Sequence, residues 1–121
     1  MTLSALPPLT WLGLLGTPLL IAVGQVLFKL VGGSVTGVSF RELLALSQNP
    51  VLTAALVLYG LGTLVWIYVL KSVPLTIAYS FMGLTFCFVP LMASLFLGEP
   101  VGLRYAIGTV LIFAGLLAIN G

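Results

Sequence analysis

Gln25 and Lys29 sit four residues apart within IAVGQVLFKL, residues 21–30, a run that is otherwise apolar. At that spacing two side chains share one face of a helix. A neutral amide and a primary ammonium offered side by side suit an anion: Lys29 would supply positive charge and Gln25 a hydrogen bond. Lys29 also admits a plainer role. A lysine near the end of an apolar helix can lay its stem along hydrocarbon and place its charge in the headgroup layer, marking the helix boundary and nothing more. Hydroxyls, and one indole N–H, recur further along the chain. Tyr79, Ser80 and Thr85 lie on one stretch, and Tyr59, Thr63 and Trp66 fall at helical spacing on another. Such groups would line a sugar-sized polar cavity, or else bond one helix to the next. Arg41, Lys71 and Arg104 are either surface charges or a basic ring at which an anionic headgroup enters.

The composition says what kind of element must carry these groups. Of 121 residues, 61% are hydrophobic and 5% charged, with a mean hydropathy of +1.32. A soluble domain of this length has about a quarter of its residues charged. The chain is therefore expected to be an integral membrane protein, a single domain over residues 1–121. The net charge of +2 rests on four basic residues against Glu42 and Glu99, too sparse for nucleic acid, which needs a clustered basic face. There is no Asp and no His, and Cys87 is the one cysteine. That excludes an internal disulfide and leaves no metal-ligand spacing, so no metal or cofactor is implied. MTLSALPP, at the start, lacks the basic segment of a cleaved leader, so no processing is expected.

Punctuation by Pro, Gly and Asn divides the chain into four spans, each near the roughly 20 apolar residues a membrane crossing needs. The first runs from about Leu9 to Val31, with Pro18 as a kink. The second runs from about Val51 to Leu70 behind Asn49-Pro50, which places Pro in the first helical turn. The third runs from about Leu75 to Leu97, bounded by Pro74 and Gly98-Glu99-Pro100 and containing Pro90. The fourth runs from about Val101 to Ile119. Short links make spans two and three, and spans three and four, antiparallel neighbours. Only the first link is long. Within it Phe40, Leu43, Leu44 and Ser47 form one mostly apolar stripe, which predicts a short helix lying in the membrane interface. The fold class is thus all-α, four transmembrane helices plus that interfacial helix.

The run VPLTIAYSFMGLTFCFVPLMASLFLGEP, followed by GLRYAIGTVLIFAGLLAI, resembles the second half of a four-helix unit of the drug/metabolite transporter superfamily. The likeness rests on Pro74, Ala78 and Tyr79, on Gly-Glu-Pro after helix three, and on Gly-x-x-Leu-Ile-x-x-Gly in helix four. With Gly24-Gln25 and Lys29 it covers nearly the whole chain. Two branches of that superfamily share this length. Small multidrug resistance exporters use a glutamate buried in helix one, eight residues before a lysine. Here that position is Ile21, and Glu42 and Glu99 both fall outside the spans. The start of helix one and the Val-Pro-x-x-x-Ala-Tyr start of helix three resemble instead the EamA-like paired subunits that flip undecaprenyl-phosphate-aminoarabinose.

That resemblance implies a flippase for an anionic polyprenyl-phosphate-linked monosaccharide or a similar glycolipid, working as a homodimer or with a paired homologous subunit in the bacterial inner membrane, and not an enzyme. Exporters of drugs or metabolites, and a non-transporting assembly subunit of a glycolipid pathway, are the alternatives. The candidate substrate-binding residues are Gln25, Lys29, Arg41, Trp66, Tyr79, Ser80 and Arg104, with membrane lipids and a lipid phosphate as partners. Gly108, Leu111, Ile112 and Gly115 recur at i, i+3, i+4, i+7. Glycines at both ends of such a stripe let two helices approach closely, either at a dimer interface or within one subunit. The charge difference between the two sides is one or two residues and sets orientation only weakly. It is compatible with an antiparallel pair, which would create inverted repeats.

Overall fold

The computed structural model describes residues 5–121; residues 1–4, with the N-terminal amine and half of MTLSALPP, lie outside the described residues. Six α-helices follow in order: α1 Pro8–Gly32, α2 Phe40–Ser47, α3 Pro50–Ser72, α4 Leu75–Phe81, α5 Thr85–Leu97 and α6 Leu103–Asn120. No strand occurs among the described residues. Four stretches are long and apolar enough to cross a membrane, namely α1, α3, the α4–α5 pair and α6, and the short α2 stands between the first two.

Helix ends fall where local chemistry stops them. Pro8 and Pro50 each occupy the first helical turn, where a missing N–H costs nothing because that donor has no intrahelical acceptor. Asn49 Oδ1 accepts from the Val51 N–H at 2.9 Å. Ser39 caps α2 by accepting from the Glu42 N–H at 3.2 Å, and the Glu42 carboxylate in turn accepts from the Thr36 hydroxyl at 2.6 Å. α5 ends at Gly98, whose φ of 68° puts it in the left-handed region. The Glu99 N–H then donates back to the Ala93 carbonyl, the bond that closes a glycine-terminated helix. Glu99 is thus a turn residue. It makes no ion pair with Arg104.

α1 and α3 form the most extensive helix pair, and small residues make that possible. In lipid there is little hydrophobic gain from helix association, so close van der Waals contact carries it. Gly13 lies against Val65 and Val69, Thr17 against Gly62, and Gly24 under the ring of Tyr59. A Cβ on Gly13 would come 2.5 Å from Val69 Cγ2, and one on Gly24 2.6 Å from the Tyr59 ring. The packed centre joins Leu14, Val69, Val73, Ala78, Phe81 and Leu84. It therefore ties α1, α3 and α4 together, while α5 and α6 contribute no buried residue.

The third span is the one place where the expected continuous helix differs from the structure. Residues Met82–Leu84 form a turn of 3₁₀-helix that separates α4 from α5. Ser80 donates to the Ile77 carbonyl and Thr85 to the Met82 carbonyl, at 2.6 and 2.7 Å. Hydroxyls that bond back to carbonyls of their own helix bend it, and Gly83 between them adds no side chain to resist. The break sits at mid-span and faces α6, with Ile112 Cγ2 at 3.6 Å from a Cβ built on Gly83.

Candidate functional site

α1 is the common wall of two cavities that open towards α6. One, of about 560 Å³, is lined by Tyr79 and Ser80 of α4, Gly83 of the 3₁₀ turn, and Ile112, Gly115 and Ile119 of α6. The other, of about 250 Å³, is lined by Ile21 and Gln25 of α1, Thr85, Phe86 and Val89 of α5, and Tyr105 of α6. Ile21, Thr85 and Phe86 border both. The two spaces therefore lie next to each other beside the broken third span, and together they mark a path along α1. Connectivity fixes its ends. α1 ends, α5 ends and α6 begins on the same side of the bundle, so Lys29, Glu99 and Arg104 lie at the end of the smaller cavity. Tyr79, Ser80 and Ile119 lie towards the other end, where Lys71 and Asn120 stand.

The polar groups along this path are held by cross-helix bonds. The Gln25 side-chain amide donates to the Tyr59 hydroxyl. Tyr59 is fixed from two sides, since its ring rests on Gly24 and stacks on Phe28 with centroids 5.1 Å apart. At the far end Asn120 Nδ2 donates to the Ser80 hydroxyl at 3.1 Å and to the Leu116 carbonyl at 2.9 Å. The Asn120 carbonyl oxygen is buried and has no partner.

The residues singled out from spacing separate into three groups. Gln25, Tyr79 and Ser80 border the path. Lys29, Arg41 and Arg104 are exposed, and Arg41 stands on α2. Trp66 borders neither cavity; it packs with Trp11 and Leu70 against the Leu14–Val69–Phe81 core, a consequence of α3 turning that face to α1 and α4. Trp11 itself meets Phe81 edge-on, with centroids 6.0 Å apart. The glycine stripe of α6 is split. Ile112 and Gly115 look into the larger cavity, while Leu111 is 67% exposed. A Cβ on Gly108 or Gly115 would meet nothing within 4 Å, so neither glycine is needed for packing inside this subunit.

The model of the EamA-like transporter family matches residues 2–121. The chain belongs to the EamA-like transporter family. Among curated proteins it is 34% identical over 114 residues to a Pseudomonas savastanoi protein, covering 93% of this chain and 97% of that one. It is 39% identical over 70 residues to an Enterobacter protein, covering 58% of this chain and 65% of that relative, and 42% identical over 65 residues to one from Erwinia tasmaniensis, covering 54% and 60%. The last two matches thus span under two thirds of those relatives. All three carry the name "Probable 4-amino-4-deoxy-L-arabinose-phosphoundecaprenol flippase subunit ArnE". No solved structure matches.

For a member of this transporter family, the path beside α1 is the feature that geometry adds to the sequence. Tyr105 borders it, and Tyr59 and Asn120 bond to residues that do; spacing alone singles out neither Tyr105 nor Asn120. Tyr59 was visible as one hydroxyl of a helical series, but its pairing with Gln25 depends on how α1 and α3 are rotated. Asn120 is the last residue of a span, a position that reads as a plain helix end. Tyr105 follows Arg104, which drew attention by its charge.

Proposed function

We propose that this multi-pass membrane protein is one subunit of a flippase that moves an anionic polyprenyl-phosphate-linked monosaccharide, or a glycolipid of that kind, across the bacterial inner membrane. The observation that carries this reading is the likeness, along nearly the full length of both chains, to a Pseudomonas protein named as such a subunit. The geometry supports it. A lipid-linked sugar must move its polar head through hydrocarbon while its tail stays in lipid, and unsatisfied polar groups there cost several kcal/mol each. An open flank of α1 on which Gln25, Tyr79, Ser80 and Thr85 interrupt mostly apolar walls suits that need, because the tail can remain outside as the head advances.

In this reading Lys29 takes the phosphate at one end of the path, with Arg104 and Arg41 forming the basic approach to it. Tyr79 and Ser80 receive the sugar towards the other end, and Trp66 supports the α3 wall from the core. One four-helix unit leaves α5 and α6 with a single packed side, so the working form is a homodimer or a pair with a homologous subunit. The α6 stripe of Gly108, Leu111, Ile112 and Gly115 meets that partner.

The test is translocation of an undecaprenyl-phosphate-linked amino sugar in vesicles containing the purified protein, alone and with a co-purified partner. Flipping above that of protein-free vesicles supports the proposal. Its absence in both preparations removes it.

A further inference from the structure

The smaller cavity has an unusual polar inventory. Three polar side chains border it, Gln25, Thr85 and Tyr105, and each has spent a donor elsewhere. The Thr85 hydroxyl donates to the Met82 carbonyl at 2.7 Å, and the Tyr105 hydroxyl to the Phe86 carbonyl at 3.3 Å. A hydroxyl carries one donor and two acceptor lone pairs, so with the donor spent each oxygen is left only to accept. The Gln25 amide nitrogen is turned to Tyr59, and its carbonyl oxygen has no partner among the described residues. One amide N–H is what remains to donate, against three acceptor oxygens. No charged side chain borders the cavity, and the rings of Phe86 and Tyr105 do.

An anion would be poorly served there, because acceptor oxygens repel a phosphate and nothing positive offsets them. A group rich in N–H and O–H donors is served well. Aromatic surface adds attraction for a cation. We infer that this cavity is the site for a donor-bearing headgroup, a primary ammonium with neighbouring hydroxyls, and that Tyr59 is the positioning residue that turns the Gln25 amide so its carbonyl accepts from that group. The division of labour follows: the phosphate is held at Lys29, at the end of α1, and the sugar amine one turn deeper at Gln25, before the head moves on towards Tyr79 and Ser80. This rests on the flippase reading for the identity of the ligand, whereas the preference for donors over anions rests on the cavity alone.

Two measurements separate those layers. The first compares, in vesicles, an undecaprenyl phosphate bearing an amino sugar with the same lipid N-acetylated. The wild type moves the free amine with a KM lower by roughly tenfold, the scale of losing one charge-assisted hydrogen bond. In Gln25→Leu and Thr85→Val the ratio of the two KM values falls towards one, and Tyr59→Phe lowers it in a Gln25 background but adds nothing to Gln25→Leu. A purely structural role would slow both lipids alike and leave the ratio unchanged. The second uses no transport. The Gln25 side-chain amide resonance of the purified protein is followed against dodecylammonium, dodecyltrimethylammonium and dodecyl phosphate. The primary amine shifts it and the quaternary amine, which has no N–H to donate, does not. An amine-induced shift in a protein that moves neither lipid keeps this site and removes the flippase reading. Equal handling of the two lipids, or a shift with dodecyl phosphate alone, overturns the site while leaving that reading in place. Lack of any shift together with lack of transport overturns both.

Discussion

The Tyr105 hydroxyl reaches from α6 to the backbone carbonyl of Phe86 on α5, 3.3 Å away. That carbonyl is the one Pro90, four residues on, is unable to serve, because proline has no N–H. Broken backbone bonds are tolerated inside a membrane only where neighbouring groups satisfy them again. Tyr105 does so here, and in doing so it binds two helices that share no buried residue. Tyr105→Phe is expected to destabilise the protein by about 0.6–1 kcal/mol in a reversible detergent-unfolding titration. Pro90→Ala restores a donor within α5, so Tyr105→Phe made in that background should cost close to nothing. Equal costs in both backgrounds would detach Tyr105 from the proline.

The α1–α3 pair has glycines that bear contact and glycines that do not. Gly24→Ala places a methyl group against the Tyr59 ring and should cost about 1–3 kcal/mol, as other overpacked sites do. It should also release the Gln25 bond. Gly16, on the same helix, has open space where its Cβ would be. Gly16→Ala is expected to be neutral or slightly stabilising by helix propensity. Comparable losses at both positions would mean that α1 and α3 pack differently.

The spans, the interfacial helix and their order were legible without coordinates, because Pro, Gly and Asn interrupt apolar runs at membrane-length intervals and α2 carries a visible stripe. What stayed hidden depends on helix rotation and on bonds between distant residues. Gln25 and Lys29 share a face, but only the packing of Gly24 under Tyr59 shows that the amide is already committed across the bundle. The break at Met82–Leu84 was illegible for another reason. Ser80, Gly83 and Thr85 are each ordinary in a membrane helix, and their joint effect on the backbone appears only when both hydroxyls bond backwards. Trp66, whose spacing with Tyr59 and Thr63 marks it as a candidate, is half-buried against the core and borders neither cavity.

Gly108→Leu tests the proposed partner-facing role of α6. Since no atom lies within 4 Å of a Cβ there, the subunit itself should accommodate the leucine with a stability change under about 0.5 kcal/mol. Association in lipid, read by cross-linking or energy transfer, should weaken measurably as the two backbones are held apart. Gly115→Leu is the less clean variant, because Gly115 also borders the larger cavity. Unchanged association in both would take this helix out of the interface.

Lys29→Ala should abolish transport while leaving expression intact, and Lys29→Arg should retain part of it. Lys29 stands exposed in the last turn of α1, where its charge costs little to keep and is free for a phosphate. Arginine preserves the charge but changes the donor geometry from a point to a planar fork. Wild-type rates for Lys29→Ala in the vesicle assay would reduce Lys29 to a boundary marker.

Proton-coupled exchange of quaternary ammonium compounds is expected to be absent. Such exchange needs a group inside the membrane that is negative when empty and is neutralised alternately by a proton and by the drug. The four spans contain no Asp and no Glu, so they offer no carboxylate to play that part. The position that would carry a glutamate is Ile21, and it lines both cavities, so the path itself is uncharged where the exporter chemistry requires a carboxylate. Glu42 is engaged by Thr36 beside the short α2, and Glu99 sits in the turn after Gly98. Both are anchored outside the spans and have no route across. Expression in a drug-sensitive host should therefore give no protection, and purified protein in vesicles should release no protons on adding a quaternary amine. Installing the missing group by Ile21→Glu should create measurable amine binding with a pH dependence that the native chain lacks. Drug-driven proton release by the native protein, lost in Glu99→Gln, would place the working carboxylate in the α5–α6 turn and reverse this conclusion.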